Sequence, residues 1–172
     1  MRTETTTRTL YKFDELSDSA KDKALDNCRH YEVENDWWQY TYEDASEVGI
    51  KITSFDIDRA SYCKGDIPDT EQTAHNIMDN HGEVCDTYKV AVAYLKERDE
   101  AIEAAPKDED GEFEDEYELD EKLDELGEEF TKAIFEEYLS MLRMLYDYLT
   151  SDAVKEMIEA NEYEFTKKGE RA

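Results

Sequence analysis

The chain has 172 residues, enough for one domain, and a formal net charge of −27 at pH 7 from 47 acidic and 20 basic residues. This balance disfavours direct binding to nucleic acid or to an anionic membrane, because both kinds of binding depend on Lys and Arg side chains. A basic protein is the natural partner. Twelve Tyr, six Phe and two Trp can fill a core, so we expect a folded protein and not a disordered acidic chain.

The cysteines and the hydropathy of the sequence indicate the cellular compartment in which the protein is expected. Cys28, Cys63 and Cys85 form no CxxC pair, which is typical of reduced thiols in a cytosol. No apolar run approaches the roughly 18 residues that a membrane-spanning helix needs, and the first residues contain no hydrophobic signal-peptide core. We expect a soluble, intracellular protein.

The N-terminal part predicts one strand and two helices. Thr3–Phe13 alternates Thr and Tyr with other residues, the period-two pattern of a strand. Ser17 is in position to cap a first helix. Asn35 or Asp36 is in position to cap a second helix, which is predicted to end at Gly49, a residue type that commonly follows the last helical turn.

A pair of strands is predicted next. Ile50–Arg59 switches its apolar phase at Thr53–Ser54, which indicates either a bulge or burial of both faces, and Tyr62–Lys64 is its short partner. Asp56 and Asp58 lie two residues apart, so on a strand both side chains leave the same face. They are either the wet face of an ordinary strand or candidate ligands for Mg²⁺ or Ca²⁺.

Two further helices follow. Asp69, with Gln72 three residues later, predicts the N-terminus of a third helix by the capping-box pattern. A fourth helix is predicted from about Glu83, with Val84 facing inward. The acidic link that comes after it starts at Pro106, a residue that ends helices.

A single long helix dominates the rest of the sequence. Residues 108–129 hold fourteen carboxylates and one lysine, and 117–149 predicts an uninterrupted helix, roughly 50 Å long at 1.5 Å per residue. Its apolar residues recur at steps of three and four, on one side of the helix. They are Leu119, Leu123, Leu126, Phe130, Ile134, Tyr138, Met141 or Leu142, Leu145 and Leu149. Covering this stripe requires a folded-back helix or a second copy of the chain, so a homodimer is one expectation.

The other side of this helix carries the candidate partner-binding residues. They are Asp115, Glu118, Glu121, Asp124, Glu125, Glu128 and Glu129. Such a run is commonly a solvated helix face or a flexible tether. Alternatively, carboxylates about 6 Å apart along a helix approximate the phosphates of B-DNA, with one charge per about 1.7 Å of axis, and such a DNA mimic occupies the basic groove of a nucleic-acid-handling protein.

The predicted class is α+β, mostly helical, with a small antiparallel sheet and one long acidic amphipathic helix. A short helix capped by Ser151 or Asp152 is followed by a tail, 162–169, that can add a last strand beside the first. We divide the chain into an α+β part, 1–105, and a part, 106–172, that packs back on it within one structural domain.

Four segments resemble a group of small, acidic phage and prophage proteins. They are LYKFDELSDSAKDKAL at 10–25, DWWQYTYEDA at 36–45, ITSFDIDRASYC at 52–63 and NEYEFTKKG at 161–169. The resemblance implies a virus-derived protein of the host bacterial cytoplasm, and some members of the group carry an antitoxin label. Many small acidic phage proteins act against host defences as anti-CRISPR or anti-restriction factors, and by this analogy of class we expect the same here.

These observations predict a non-enzymatic inhibitor without a cofactor. It is expected to bind a basic host protein, of a nucleic-acid-handling defence system, through the seven acidic residues of the long helix. One alternative is an antitoxin that neutralises a basic toxin. The other is a divalent-metal-binding protein that uses Asp56 and Asp58.

Overall fold

The computed structural model describes residues 2, 7–29, 33 and 36–172. The described helices are α1 (Asp18–Cys28), α2 (Gln39–Glu47), α3 (Thr70–Asn80), α4 (Asp86–Ala104), α5 (Glu116–Thr150) and α6 (Asp152–Ala160). The described strands are β1 (Tyr11–Lys12), β2 (Lys51–Asp56), β3 (Tyr62–Asp66) and β4 (Glu164–Phe165). The α+β, mostly helical class with one long acidic amphipathic helix is confirmed. Its antiparallel strands form two separate two-stranded sheets, β1 with β4 and β2 with β3.

The chain divides into two compact units. One consists of Met1–Trp37 and Arg143–Ala172, and the other of Trp38–Leu142. The predicted boundary between 1–105 and 106–172 lies inside the second unit. That boundary followed the start of the acidic composition, whereas the units follow packing, which places most of α5 with α2, α3 and α4.

The first unit has a small core between α1 and α6. Ala20, Ala24 and Cys28 recur every four residues on α1 and pack with Val154 and Ile158 of α6. Ser17 and Ser151 occupy the predicted N-cap positions of these two helices, but neither side chain accepts a capping hydrogen bond, and the Ser151 hydroxyl instead donates to the Asp147 carbonyl. Small side chains on α1 allow the two helices to approach closely, and aromatic rings on either side of them complete the core.

The predicted first strand is much shorter in the structure. Among the described residues of this predicted strand, 7–13, only Tyr11–Lys12 pairs with Glu164–Phe165, so the predicted pairing of the tail with the first strand is confirmed over two residues. The strand stops because Phe13–Glu15 forms a 3₁₀ turn, in which the Leu16 backbone N–H donates to the Phe13 carbonyl at 3.1 Å. Residues 3–6 of the predicted strand lie outside the described residues.

The second helix begins later than predicted. Residues 36–38 form a turn, and α2 starts at Gln39 with Trp38 at its N-cap, so the predicted cap at Asp36 is wrong. Asn35 lies outside the described residues. The physical reason is packing, because the Trp38 ring meets Phe55 of β2 edge-on at 5.6 Å between centroids. The end is as predicted, with Gly49 at φ +95° after the helix.

The bulge predicted from the apolar phase of the second strand is confirmed. The register of β2 against β3 shifts between Ile52 and Ser54, which leaves Thr53 as the extra residue. Gly65 lies opposite Ile52 at this point, and a Cβ on Gly65 would collide with the backbone carbonyl of Lys51. Glycine is therefore required where the two backbones come this close.

Helix α3 starts as predicted, whereas α4 does not. The Asp69 carboxylate accepts a hydrogen bond from the Gln72 backbone N–H at 2.9 Å. Helix α4 starts only at Asp86, because the residues before it form a turn in which the Cys85 N–H donates to the Gly82 carbonyl. The inward placement of Val84 is therefore wrong, and its side chain is 85% exposed.

The long predicted helix forms as α5, from Glu116 to Thr150. In the second unit its apolar stripe is covered by the same chain, since Phe130 stacks on Tyr94 of α4 with ring centroids 4.5 Å apart. The folded-back alternative therefore applies to this part of the stripe, and the homodimer stays a prediction. In the part of the chain that the structure describes, no helix has both the length and the hydropathy of a membrane span.

Candidate functional site

The acidic link before α5 is a hydrogen-bonded turn. The Asp108 carboxylate accepts the backbone N–H groups of Asp110 and Glu112 at 2.9 and 3.0 Å, and the Asp108 N–H donates to the Glu112 carbonyl at 2.8 Å. Lys107 and Phe113 are bridged on either side of this turn, with the Lys107 ammonium 4.9 Å from the Phe113 ring centroid. The link therefore leads into α5 along a defined path.

Asp115 has a structural role at the start of α5. Its carboxylate accepts the Glu118 backbone N–H at 2.9 Å, as an N-cap side chain does. Glu116 and Glu118 lie in the first turn, where negative charge interacts favourably with the helix dipole. This end of the acidic run therefore stabilises the helix, and Asp115 is not solely a charge donor for a partner.

All seven predicted partner-binding residues are exposed, and six of them lie within α5. Lys122 lies among them and contacts Glu125 with 3.0 Å between Nζ and Oε2, and this hydrogen bond raises the pKa of the lysine. One carboxylate of the set is thus partly neutralised. From Glu118 to Glu129 the helix carries seven carboxylates and one lysine, hence a net charge of −6, over roughly 16 Å.

The acidic face ends where α5 becomes buried on that side. Phe135 is seven residues after Glu128 and Leu139 eleven, which places both within about 20° of Glu128 around the helix axis. Both side chains are buried. The predicted stripe did not contain Phe135 and Leu139, because neither residue falls on a position that the stripe reaches by steps of three or four. The second half of α5 is therefore buried on two sides and the first half on one.

A groove lies between the C-terminus of α4, the acidic link and the start of α5. Its volume is about 560 Å³, within the usual range of small-molecule sites. Ala101, Ala104, Pro106 and Leu119 are among the apolar residues that line it. Its acidic lining comes from Glu114, Asp115, Glu118, Glu121 and Glu125, and Lys122 is its one basic lining residue among those described. Sequence reasoning identified the carboxylates but not the apolar surface between them.

A second polar arrangement lies inside the same unit. The hydroxyl of Tyr138, which is fully buried, donates to Asp44 Oδ2 at 2.9 Å. Asp44 Oδ1 is 3.6 Å from His81 Nε2, and His81 Nδ1 is 2.8 Å from the Thr87 hydroxyl. Burial and then the Asp44 charge raise the pKa of Tyr138 far above its usual value. Helices α2, α4 and α5 contribute one residue each and His81 directly follows α3, so no local sequence spacing could have predicted this network.

The predicted placement of the two candidate metal ligands on one strand face is wrong. Strand β2 ends at Asp56, so Asp58 lies beyond it, and Asp56 Oδ1 accepts the Asp58 backbone N–H at 2.7 Å in a turn. Among the described residues no group of three or more His, Cys, Asp or Glu is arranged to hold a metal ion. The metal-binding alternative stays a prediction that calorimetric titration with Mg²⁺, Ca²⁺ and Mn²⁺ can test.

Comparison of the chain with protein-family models, with curated proteins and with solved structures finds no match. The resemblance to small acidic phage proteins therefore stays a prediction that depends on the four sequence segments. The candidate site is the acidic half of α5 together with the groove beside it.

Proposed function

We propose that this chain is a non-enzymatic inhibitor, of phage or prophage origin, that acts in the cytoplasm of a bacterial host. Its target is a basic, nucleic-acid-handling defence protein of the kind that anti-CRISPR and anti-restriction factors bind. The observation that carries the proposal is the acidic face of α5, where exposed carboxylates from Glu118 to Glu129 lie on one side of an ordered helix.

The charge density of this face supports a competitor for a nucleic-acid site. A single strand of B-DNA has one phosphate per about 3.4 Å, hence about five phosphates over the roughly 16 Å between Glu118 and Glu129. The face carries about the same net charge. A basic groove built for one phosphate strand therefore finds a similar number of anions here, and the net charge of −27 favours fast association with a basic partner.

The position of the charges on a helix also supports recognition. A helix fixes each Cα, so the carboxylates form rows with a defined spacing, which a flexible acidic tail does not provide. The buried second half of α5 holds the helix in place, and with it the rows of carboxylates on the first half. The Tyr138 side chain is buried and donates to Asp44, so the polar network around it contributes to the packing that holds this half of α5 in place.

The proposal is tested by capture from bacterial lysate and by charge reversal. The reversed variant carries Lys at Glu121, Asp124, Glu128 and Glu129, which leaves the capping Asp115 and the Lys122–Glu125 pair unchanged. We expect the wild-type chain to capture a basic protein that is released as salt rises from 0.1 to 1 M, since the Debye length falls from about 10 to about 3 Å. The reversed variant is expected to capture none of it.

A matched control separates the site from the net charge. Reversal of four exposed acids outside α5, at Asp22, Glu47, Asp79 and Glu83, changes the net charge by the same amount. This control is expected to keep the partner, and circular dichroism verifies that both variants fold. Equal loss in both variants refutes the assignment of the surface. A captured toxin whose growth inhibition is relieved by co-expression decides for the antitoxin alternative.

A further inference from the structure

The groove at the N-terminal end of α5 differs in chemistry from the acidic face alone. A mimic of a phosphate strand needs anions at a regular spacing, and this spacing does not require large apolar side chains beside them. Here the carboxylates of Glu118, Glu121 and Glu125 border a surface made by Ala104, Leu119 and other apolar groups. Leu119 is only half-buried, so this apolar surface is accessible from the groove.

The acidic residues divide into two sets around this groove. Glu118, Glu121 and Glu125 line it, whereas Asp124 and Glu128 do not. On an ideal helix the lining set spans about 60°, Asp124 lies about 60° beyond its edge at Glu121, and Glu128 lies about two turns further along the axis than Glu121. A partner that uses the groove therefore meets three carboxylates and an apolar surface at once, while the remaining acids act at longer range.

We infer that the groove binds a basic segment of the partner protein through one apolar side chain that has Lys or Arg residues on both sides. This inference rests on the proposed function and specifies the partner's chemistry at that site. Charge complementarity selects the occupant: the apolar side chain fills the groove, and the flanking cations reach Glu118 and Glu121 at its border. A volume of about 560 Å³ accommodates one large side chain with part of its backbone.

Lys122 occupies a position that the partner's cation would take. Its ammonium contacts Glu125 at 3.0 Å, so an incoming Lys or Arg must compete with it for that carboxylate. Replacing Lys122 by Gln frees Glu125 and removes a like charge from the path of the basic segment. The Lys122→Gln variant is therefore expected to bind the segment about twofold to fivefold more tightly, the usual range for an exposed charge pair.

The test uses two fluorescent peptides of the same length and charge. One places a single Phe between Lys and Arg residues, and the other has Ala instead of the Phe. Fluorescence anisotropy with the full chain is expected to show binding of the Phe peptide at least tenfold tighter, since burying such a side chain contributes about 1.5–3 kcal/mol. The difference is expected to persist in high salt, because it is apolar.

A variant in which a larger side chain fills the groove gives the decisive test. Ala104 is the exposed last residue of α4, and Ala104→Met places a longer side chain in the groove at a position where the fold tolerates it. Ala160, the exposed last residue of α6, gives the matched control Ala160→Met. We expect Ala104→Met to remove the preference for Phe and Ala160→Met to leave it intact.

Each other outcome overturns the inference in a recognisable way. Equal binding of both peptides, abolished by the four Lys reversals in α5, overturns the apolar groove contact and leaves the proposed function standing. Absence of binding by either peptide overturns the groove inference and counts against the acidic face as well. A change in oligomeric mass caused by Ala104→Met, measured by light scattering, shows that a second copy and not a basic partner fills the groove.

Discussion

The acidic face should lower the stability of α5, and a double substitution measures by how much. Glu121→Gln with Asp124→Asn keeps size and helix propensity nearly constant while it removes two charges. Each of these residues has only acids or uncharged residues three and four positions away. The substitutions therefore remove repulsion and break no favourable pair along the helix.

The magnitude follows from the positions on the helix. Like-charge pairs at i,i+3 or i,i+4 destabilise a helix by about 0.2–0.5 kcal/mol each. The double substitution removes five such pairs: 118 with 121, 121 with 124, 121 with 125, 120 with 124, and 124 with 128. We expect a gain of about 1–2.5 kcal/mol at low ionic strength. With a urea m-value of about 2 kcal/mol/M, the midpoint should rise by about 0.5–1.2 M.

Urea unfolding followed by far-UV circular dichroism is the appropriate assay, because guanidinium salts would screen the effect. At about 0.01 M salt the Debye length is about 30 Å, and at 1 M it is about 3 Å, shorter than the separation of the paired side chains. The gain should therefore nearly vanish at 1 M NaCl. Asp86→Asn is a control of opposite sign, because Asp86 contacts Lys89 at 2.6 Å in the first turn of α4.

Two results would refute this reasoning. A midpoint that stays unchanged or falls in the double variant at low salt means that these carboxylates do not repel one another in the fold. A gain that is equally large at 1 M salt means that its origin is not electrostatic. Stabilisation together with loss of partner capture would indicate that the acids are retained for binding at the expense of stability.

Three further predictions concern the interior of the second unit. Tyr138→Phe removes the hydrogen bond to Asp44, whose side chain is 44% exposed and can bind water instead, so we expect a loss of about 1 kcal/mol and a Tm about 2–4 °C lower by calorimetry. Burial raises the pKa of the Cys63 thiol from 9.0 to about 11 and also raises the pKa of Tyr138. As the pH rises, the unfolded chain therefore loses these two protons before the folded chain does, which favours unfolding. The urea midpoint should be constant below about pH 8 and fall between pH 9 and 11. Gly127→Ala should stabilise α5 by about 0.5–1 kcal/mol in urea unfolding, because the added Cβ would meet Thr70 Oγ1 at 3.4 Å, an ordinary contact.

Local patterns predicted the elements wherever one short-range rule decided the structure. The four-residue period of Ala20, Ala24 and Cys28 corresponds to the buried side of α1, and the phase switch near Thr53 predicted the bulge of β2. The carboxylate of Asp69 capped α3 as its spacing indicated. In each case the cause lies within a few residues of the sequence, so the pattern contains the information.

Tertiary packing decided the features that the sequence did not reveal. Helix α2 starts at Gln39 because Trp38 packs on Phe55, a residue seventeen positions away that no local cap can indicate. Val84 is exposed because a turn delays the start of α4. The apolar groove was missed for the same reason, since Ala104 and Leu119 come together only when the link between α4 and α5 folds back.

The distribution of burial along α5 explains how its first half can carry so much charge. Seven side chains from Leu126 to Leu142 are buried: Leu126, Phe130, Ile134, Phe135, Tyr138, Leu139 and Leu142. Burying each contributes about 1.5–3 kcal/mol, whereas each repulsive pair in the acidic half costs about 0.2–0.5 kcal/mol. The free energy gained by burial in the second half is therefore several times larger than the cost of charge repulsion in the first. Because helix propagation is cooperative, the packed second half also stabilises the helical conformation of the acidic half. An acidic surface of this kind needs a buried continuation, so truncating α5 after Glu129 would remove the order of the binding face while leaving every candidate carboxylate in the chain.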